Sequence, residues 1–411
     1  MILEKIKKHG IIGSLKVVWT KVVSRINVFY YYFFWIFPIN NQLIVFESQG
    51  DLSDNSYAIY DYMNEIGLLK KYKVIWLVDN VLEAEKRVYD NTYCVFKYPN
   101  TISIKRSYYL ATCKWFIYDH CNIFAHLRKR KRQNMIYLSH GWGYKASKGW
   151  DTSKDLTHPD FIVSTGELAA RGLSFYWNEP IDKIIITGYP RIDYLFKYNK
   201  KVESYVQDKL QFAKYEKVFF WMPTFRQSNT KSLSEDYFTN QTGLPLFETF
   251  RDLENFSNFL KEQQILIVFK LHHLQADLPI FQERFDNILI LRDSDLYREQ
   301  IQLYQVVKYA DVIISDYSSI SIDALVMNIP LIFILDDYDD YDISRGLYPK
   351  NAIDYMPGYH IYTVKELENC IIEIKKGVDR YSNERKVICN QYHTYSDSNS
   401  AMRVLKSLNL K

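Results

Sequence analysis

The chain has 411 residues, more than one hydrophobic core usually spans, and 47% of them are apolar against 24% charged; that balance excludes a disordered protein and predicts two folded domains. The net charge of +4 is local: residues 1–26 hold Lys5, Lys7, Lys8, Lys16, Lys21 and Arg25 against Glu4 alone, a local +5 that leaves the rest at −1 and argues against a nucleic-acid-binding body. Cys94, Cys113, Cys121, Cys370 and Cys389 contain no C-x-x-C pair, the pattern of reduced thiols in a cytosolic compartment and not of a disulfide framework or a zinc site.

The basic start runs into "INVFYYYFFWIFPI", residues 26–39. Its strictly apolar span is ~14 residues, short of the ~20 needed to cross a bilayer, and no small-residue cleavage site follows it. Tyr and Trp favour the membrane interface while Lys and Arg are drawn to anionic headgroups. Residues 1–40 therefore read as an amphipathic segment lying on an anionic membrane surface, with burial in the protein or an oligomer contact, or a spanning anchor, as alternatives. A second basic cluster, "RKRKR" at 128–132, is either a solvated loop or a further attraction to a polyanion.

From residue 42 short apolar strands alternate with longer helical stretches. Strands are predicted at 42–48, 73–79, 93–98, 114–119, 134–140, 160–165 and 183–188, then, after a charged stretch at 197–217, at 217–224, 264–272, 287–293, 311–316 and 330–337. The apolar runs are continuous, as in parallel strands covered by helices on both faces. The expected architecture is α/β: two Rossmann-like doubly wound domains, 41–196 and 197–390, with a cleft between them and a helical tail at 391–411. No G-x-G-x-x-G follows the first strand, so a dinucleotide cofactor is not supported.

In this architecture ligands gather beyond the carboxyl ends of the strands, and four strand ends carry chemistry. "LSHGWGYK" offers His140, an imidazole able to take a proton from a hydroxyl, and Lys145, with Gly141 and Gly143 permitting close backbone approach. "MPTFRQ" adds the Thr224 hydroxyl and the Arg226 guanidinium, whose fork suits phosphate oxygens. "FKLHHLQ" ends a strand in His272, with His273 leaving the choice of histidine open. "ADVIISDYSSISIDALVMNIPLIF" brings Ser315 and Asp316 to a strand end and opens a helix around Ser318 and Ser319, either a simple cap or an anion site. Further on, "ISRGLY" supplies Arg345 in a loop, a second arginine for a diphosphate.

In this order, "FESQGDLSDNSYAIYDYM", "HGWGYK", "GYPRID", "MPTFR", "KLHH" and "SDYSSISIDALVMNIPLIF" followed by "DYDDYDISRGLY" resemble the CDP-glycerol glycerophosphotransferase family of wall teichoic acid synthesis, from about residue 42 to about 385. The resemblance implies a GT-B-like fold, a membrane-associated amino terminus and a CDP-alditol donor held mainly by the second domain. It places the general base on His140 and the family's second histidine on His272, with His273 where proline is usual, and it sets Ser318, Ser319, Arg226 and Arg345 around the diphosphate. Trp142 replaces a small hydroxyl and is expected to alter how the acceptor is held.

The function expected from this is transfer of a polyol phosphate, glycerol phosphate before ribitol phosphate, from a CDP-linked donor to a hydroxyl of a lipid-linked acceptor. CMP would leave, at the cytoplasmic face of a bacterial membrane, in synthesis of a teichoic-acid-like or capsular polymer. Lys145 would add to the positive field, His272 would protonate or stabilise the departing phosphate oxygen, and Asp316 would be structural or orient a histidine. No cofactor or metal is expected, and "DDYDDYD" at 336–342 reads as a solvated acidic loop in preference to a hard-cation site. The rivals are a GT-B glycosyltransferase using a nucleotide sugar and a non-catalytic membrane-bound scaffold; the fold alone does not separate them.

Overall fold

The computed structural model describes residues 2–98, 101–120, 127–146, 159–224 and 241–410, with side chains described from residue 18 onward except at 273–274. Arg226 and Cys121 lie outside the described residues.

Two parallel sheets organise the chain. The first has the order β3-β2-β1-β4-β5-β6-β7, from β1 (Asn40–Glu47), β2 (Lys73–Val78), β3 (Thr92–Phe96), β4 (Cys113–Tyr118), β5 (Asn134–Tyr137), β6 (Phe161–Ser164) and β7 (Ile184–Ile186). The second has the order β10-β9-β8-β11-β12-β13, from β8 (Lys217–Trp221), β9 (Ile265–Phe269), β10 (Ile288–Ile290), β11 (Val312–Ser315), β12 (Leu331–Ile334) and β13 (Tyr359–Ile361). Both begin in mid-sheet and wind outward each way, which puts a crevice at the carboxyl ends of the central strands. All twelve expected strands form. β13 was not expected, because Tyr-His-Ile is too short and too polar to register as an apolar run.

The continuous apolar runs have the predicted cause. In the second sheet Val218, Phe220, Val268, Ile313 and Phe333 join the core shared with the first sheet. Their neighbours Phe219, Trp221, Ile267, Ile314 and Ile332 fill a separate core on the far face. Successive side chains point to opposite sides of a strand, so a strand buried on both sides must be apolar at every position.

The carboxyl-terminal segment returns to the first sheet. Tyr392 O accepts from Thr165 Oγ1 at 2.7 Å, and Asp193 accepts from the Ser400 and Ala401 amides at 2.8 and 2.9 Å. The helix Ser400–Ser407 then packs on α2 (Asp54–Glu65).

At the other end, α1 spans Ile2–Phe33. Val23, Asn27 and Tyr31, spaced four apart on one face, are buried against the first domain. Asn27 Nδ2 donates to Thr101 O at 2.9 Å and Tyr31 Oη to Arg128 O at 3.0 Å. Trp19, Val22, Phe29 and Phe33 stand exposed on another face, so between residues 18 and 33 apolar side chains occupy both the buried and an exposed face of the helix. Among the described residues no helix is long and apolar enough to cross a membrane.

Candidate active site

The loop after β5 carries the histidine that the sequence singles out, and its shape explains its glycines. Ser139 and Gly141 have φ of 62° and 90°. A Cβ on Gly141 would lie 2.4 Å from Arg191 Nη2 and 2.6 Å from Ser319 Oγ, and one on Gly143 would lie 2.3 Å from Tyr317 O. Glycine is therefore required where the loop lies against the 317–319 turn of the other domain. Trp142, expected to alter how the acceptor is held, is buried, its ring resting on Gly172 so closely that any side chain there would collide with it. An indole of that size fills the space between loop and helix, where a small hydroxyl would leave a void.

His140 itself is half exposed, and its Nδ1 lies 2.7 Å from Asp54 Oδ2. Asp54 starts α2 with φ of 58°, a left-handed conformation that Asp tolerates better than most residues. Arg191 Nη1 donates to both Asp54 oxygens at 2.9 and 3.1 Å and to His140 O at 3.1 Å. Its Nε and Nη2 reach Asp323 Oδ2 at 3.2 and 2.6 Å. Tyr304 Oη donates to the same oxygen, and the guanidinium lies 4.9 Å from the Tyr304 ring centroid. Asn55 completes the frame by accepting from Arg191 N at 2.9 Å and donating to Ser139 O at 2.8 Å.

Electrostatics follow from this burial. Desolvation alone would raise the Asp54 carboxyl, but Arg191 and His140 bring it well below the usual carboxylate range. Neighbouring Asp119 is pushed well above that range by burial and by the Asp54 charge. His120, at the end of β4, stacks edge-on to His140 with ring centroids 5.4 Å apart. Burial, reinforced by His140, lowers its pKa to about 4, and its charge also feels Asp54, Lys97 and His272. His120 thus lies against His140 and within electrostatic reach of His272 on the other domain.

On the second sheet, Asp316 Oδ1 accepts from Thr224 Oγ1 at 2.7 Å and from Ser318 N at 3.1 Å, while Oδ2 accepts from Thr224 N at 2.8 Å. The carboxylate ties the ends of β8 and β11 into one turn, with Ser315 buried beneath it; the carboxylate hydrogen-bonded to His140 is Asp54. The helix expected after Ser319 is only Ile320–Asp323, continued as a 3-10 turn through Met327. Too few residues separate β11 from Pro330 for more, so its dipole is small. His272 is half buried, and its carbonyl accepts from Gln275 and Ala276 N–H groups at 2.9 Å each.

Arg345 is the last residue of a helix, Tyr338–Arg345, and not part of a loop. The acidic run forms the start of that helix, where Asp337 accepts from Tyr317 Oη at 3.0 Å and Asp342 from Leu347 N at 2.8 Å. Carboxylates suit the first turn of a helix, which stabilises the run where a loop was expected. The backbone of Lys145 bridges Leu347, and Ala146 N donates to Gly346 O at 3.0 Å. Lys145 and Arg345 are thereby brought to one seam between the domains.

The structure therefore gathers His140, Lys145, Ser318, Ser319 and Arg345 around the interdomain crevice, with Thr224, Ser315 and Asp316 forming the floor of the turn. Sequence reasoning missed Asp54, His120, Arg191, Asp323 and Tyr304. His120 obeys the same strand-end rule that selected His140. Asp54 and Arg191 stand in "LSDN" and "GYPRID", stretches noticed for resemblance but given no chemistry.

The model of the CDP-glycerol:poly(glycerophosphate) glycerophosphotransferase family matches residues 29–410. Among curated proteins, the chain is 30% identical over 226 residues to a teichoic acid glycerol-phosphate primase of Bacillus subtilis, covering 54% of this chain and 50% of that one. It is 24% identical to a teichoic acid glycerol-phosphate transferase of Staphylococcus aureus over 90% of this chain and 93% of that one. It also matches a teichoic acid poly(ribitol-phosphate) polymerase of Bacillus spizizenii at 27% identity, across 67% of this chain and 44% of the relative. The chain thus spans about half the length of two of these relatives. The solved wall teichoic acid polymerase TagF superposes with a TM-score of 0.70 at 21% identity, covering 90% of each chain, which shows the fold. With 382 consecutive positions matched by the family model, the chain belongs to the CDP-glycerol:poly(glycerophosphate) glycerophosphotransferase family.

Proposed function

We propose that the protein transfers a polyol phosphate, glycerol phosphate before ribitol phosphate, from a CDP-linked donor to a hydroxyl of a lipid-linked acceptor in teichoic-acid-like polymer synthesis. The observation that carries this reading is the half-exposed His140 imidazole, held through Nδ1 by Asp54 at a strand end facing the second domain's turn. With Nδ1–H donating to the carboxylate, the Nε2 lone pair is left to take the acceptor's proton.

In the reaction, the acceptor oxygen forms a bond to the β-phosphorus, its proton passes to His140 Nε2, and the bond from that phosphorus to the bridging oxygen breaks. The electron pair leaves with CMP. Such a step depends mostly on positioning and charge neutralisation. Lys145, Arg226, Arg345 and the Ser318 and Ser319 hydroxyls would hold the diphosphate, and His272 would stabilise or protonate the departing oxygen.

The same reading seats the enzyme on the cytoplasmic face of the membrane. The exposed apolar stripe of α1 lies beside exposed Lys21 and Arg25. The basic cluster, about a hundred residues away in sequence, packs at the foot of that helix. Arg130 Nη1 donates to Phe37 O at 2.8 Å, while Arg128, Lys131 and Arg132 remain exposed. Apolar and cationic surface side by side suit an anionic lipid interface.

The test is nucleotide release with CDP-glycerol, CDP-ribitol and a panel of nucleotide sugars, each with a lipid-linked acceptor analogue, beside His140→Ala. CMP formed only from a CDP-polyol, and lost in the variant, is the expected result. Release of a nucleoside diphosphate from a sugar donor would overturn the reading in favour of a glycosyltransferase, and no turnover of any donor would favour a scaffold.

A further inference from the structure

The residues that hold His140 form an unbroken chain across the interdomain seam. His140 meets Asp54, Asp54 meets Arg191, and Arg191 meets Asp323. Asp323 ends the short helix that begins beside Ser318 and Ser319. Arg191 and Asp323 are fully enclosed, with side chains 6% and 1% exposed, and Asp54 is 12% exposed. One cation therefore serves two carboxylates from different domains in a region nearly free of water.

Charges so buried are strongly destabilised when a partner is removed, and replacing a buried ion network by apolar residues is often neutral or stabilising. Stability alone thus gives little reason for this arrangement. A role in geometry accounts for it better: a carboxylate on Nδ1 fixes both the ring plane and the tautomer of a basic histidine, and the carboxylate is itself fixed only while Arg191 is gripped from the other side. The loop glycines add to this, since Gly141 lies against both the Arg191 guanidinium and Ser319 Oγ.

We infer that Asp54 is the positioning residue for His140, and that Arg191, by holding Asp54 and Asp323 together, makes the base competent only when the donor-side turn is docked on the first domain. This rests on the reading of His140 as the base. Asp54 and Arg191 touch no reacting atom in this scheme; they act through the imidazole.

A double-mutant cycle on the full chain tests it, with CMP release from CDP-glycerol in the presence of acceptor as the readout. Asn keeps the shape of Asp54 and tolerates its left-handed backbone. Asp54→Asn should lower kcat by roughly 10²-fold or more while KM for CDP-glycerol changes by less than about three-fold, the signature of an interaction expressed in the transition state. His140→Ala/Asp54→Asn should be no slower than His140→Ala, because two residues acting as one unit are not additive. Unchanged kcat in Asp54→Asn, or an equal further loss when it is added to His140→Ala, would overturn the inference. Full activity of His140→Ala would instead sink the assignment of the base.

Should Asp54→Asn melt below the assay temperature, Arg191→Lys and Asp323→Asn provide the second arm. Each should lower kcat by about ten-fold or more, and their combination should be no slower than Arg191→Lys alone. Multiplying losses, or losses confined to KM, would overturn the coupling.

Discussion

The two walls of the crevice are built differently. On the first-domain side, His140, Asp54 and Arg191 are locked by charge-assisted hydrogen bonds of 2.7–3.1 Å. On the second-domain side, the 316–319 turn is held by Asp316 and presents hydroxyls, with Arg345 close to the seam where the first domain's Lys145 pairs with Leu347. On the proposed reading the first wall is preorganised for a proton and the second for an anion. Under the proposed function the site would divide its work by wall: one fixes a single nitrogen lone pair, the other offers its donors to a phosphate.

Substitution on each wall should leave different kinetic marks. His140→Ala should lower kcat by roughly 10²–10⁴-fold with KM for CDP-glycerol little changed. Arg345→Ala should raise that KM by about 10- to 100-fold, as expected for loss of a hydrogen bond to a charged group, with a smaller effect on kcat. Steady-state CMP release measures both, and an Arg345→Ala variant altered in kcat alone would erase the proposed division.

Gly143→Ala tests where the walls meet. A Cβ there would lie 2.3 Å from Tyr317 O, a backbone atom that cannot rotate away, so either the loop or the turn must shift. Both marks should then appear together, a fall in kcat of about ten-fold and a comparable rise in KM, because a 1 Å misplacement of reacting groups costs up to 10²-fold. Native kinetics in this variant would show that the docked arrangement is not the working one.

A third region, α1, should be separable from both walls. Trp19→Glu with Phe29→Glu removes two exposed apolar side chains, and each is expected to weaken sedimentation with anionic vesicles by about ten-fold. Turnover of a soluble acceptor should be unaffected. Unweakened vesicle binding would transfer the interface elsewhere on the molecule.

Much of this was legible in the sequence, for reasons that also explain what was not. Strands buried on both faces announce themselves as continuous apolar runs, so twelve of the thirteen were readable, and the strand-end rule led to His140, His272 and Asp316. The Asp54–Arg191–Asp323 chain was not readable, because its members lie more than 130 positions apart and nothing local marks a salt bridge that closes only on folding. The packing of Trp142 was not readable for a related reason. Its neighbours in sequence belong to the site, whereas its ring belongs to the core above Gly172. Helix α1 adds a face that its charges and aromatic run do not announce, the buried stripe at Val23, Asn27 and Tyr31.

The smallest expected effect concerns the histidine that neither wall uses directly. Burial and the adjacent His140 lower the His120 pKa from its ordinary 6.5 to about 4, so the folded protein keeps this ring neutral where the unfolded chain would protonate it. Above pH 6.5 neither state binds the proton and His120 does not alter stability. As pH falls from 6.5 toward 4 the unfolded state gains a proton that the folded state does not, and stability is lost at about 1.4 kcal/mol per pH unit, about 3 kcal/mol over the window. His120→Gln removes the titrating group while keeping a polar side chain of similar reach. Its melting temperature should therefore decline less than that of the unmodified protein between pH 6.5 and pH 4.5, and the two should respond alike between pH 7 and pH 8. Parallel curves across the acidic window would mean that His120 is already open to water, and that the crevice between the histidines is wetter than its packing implies.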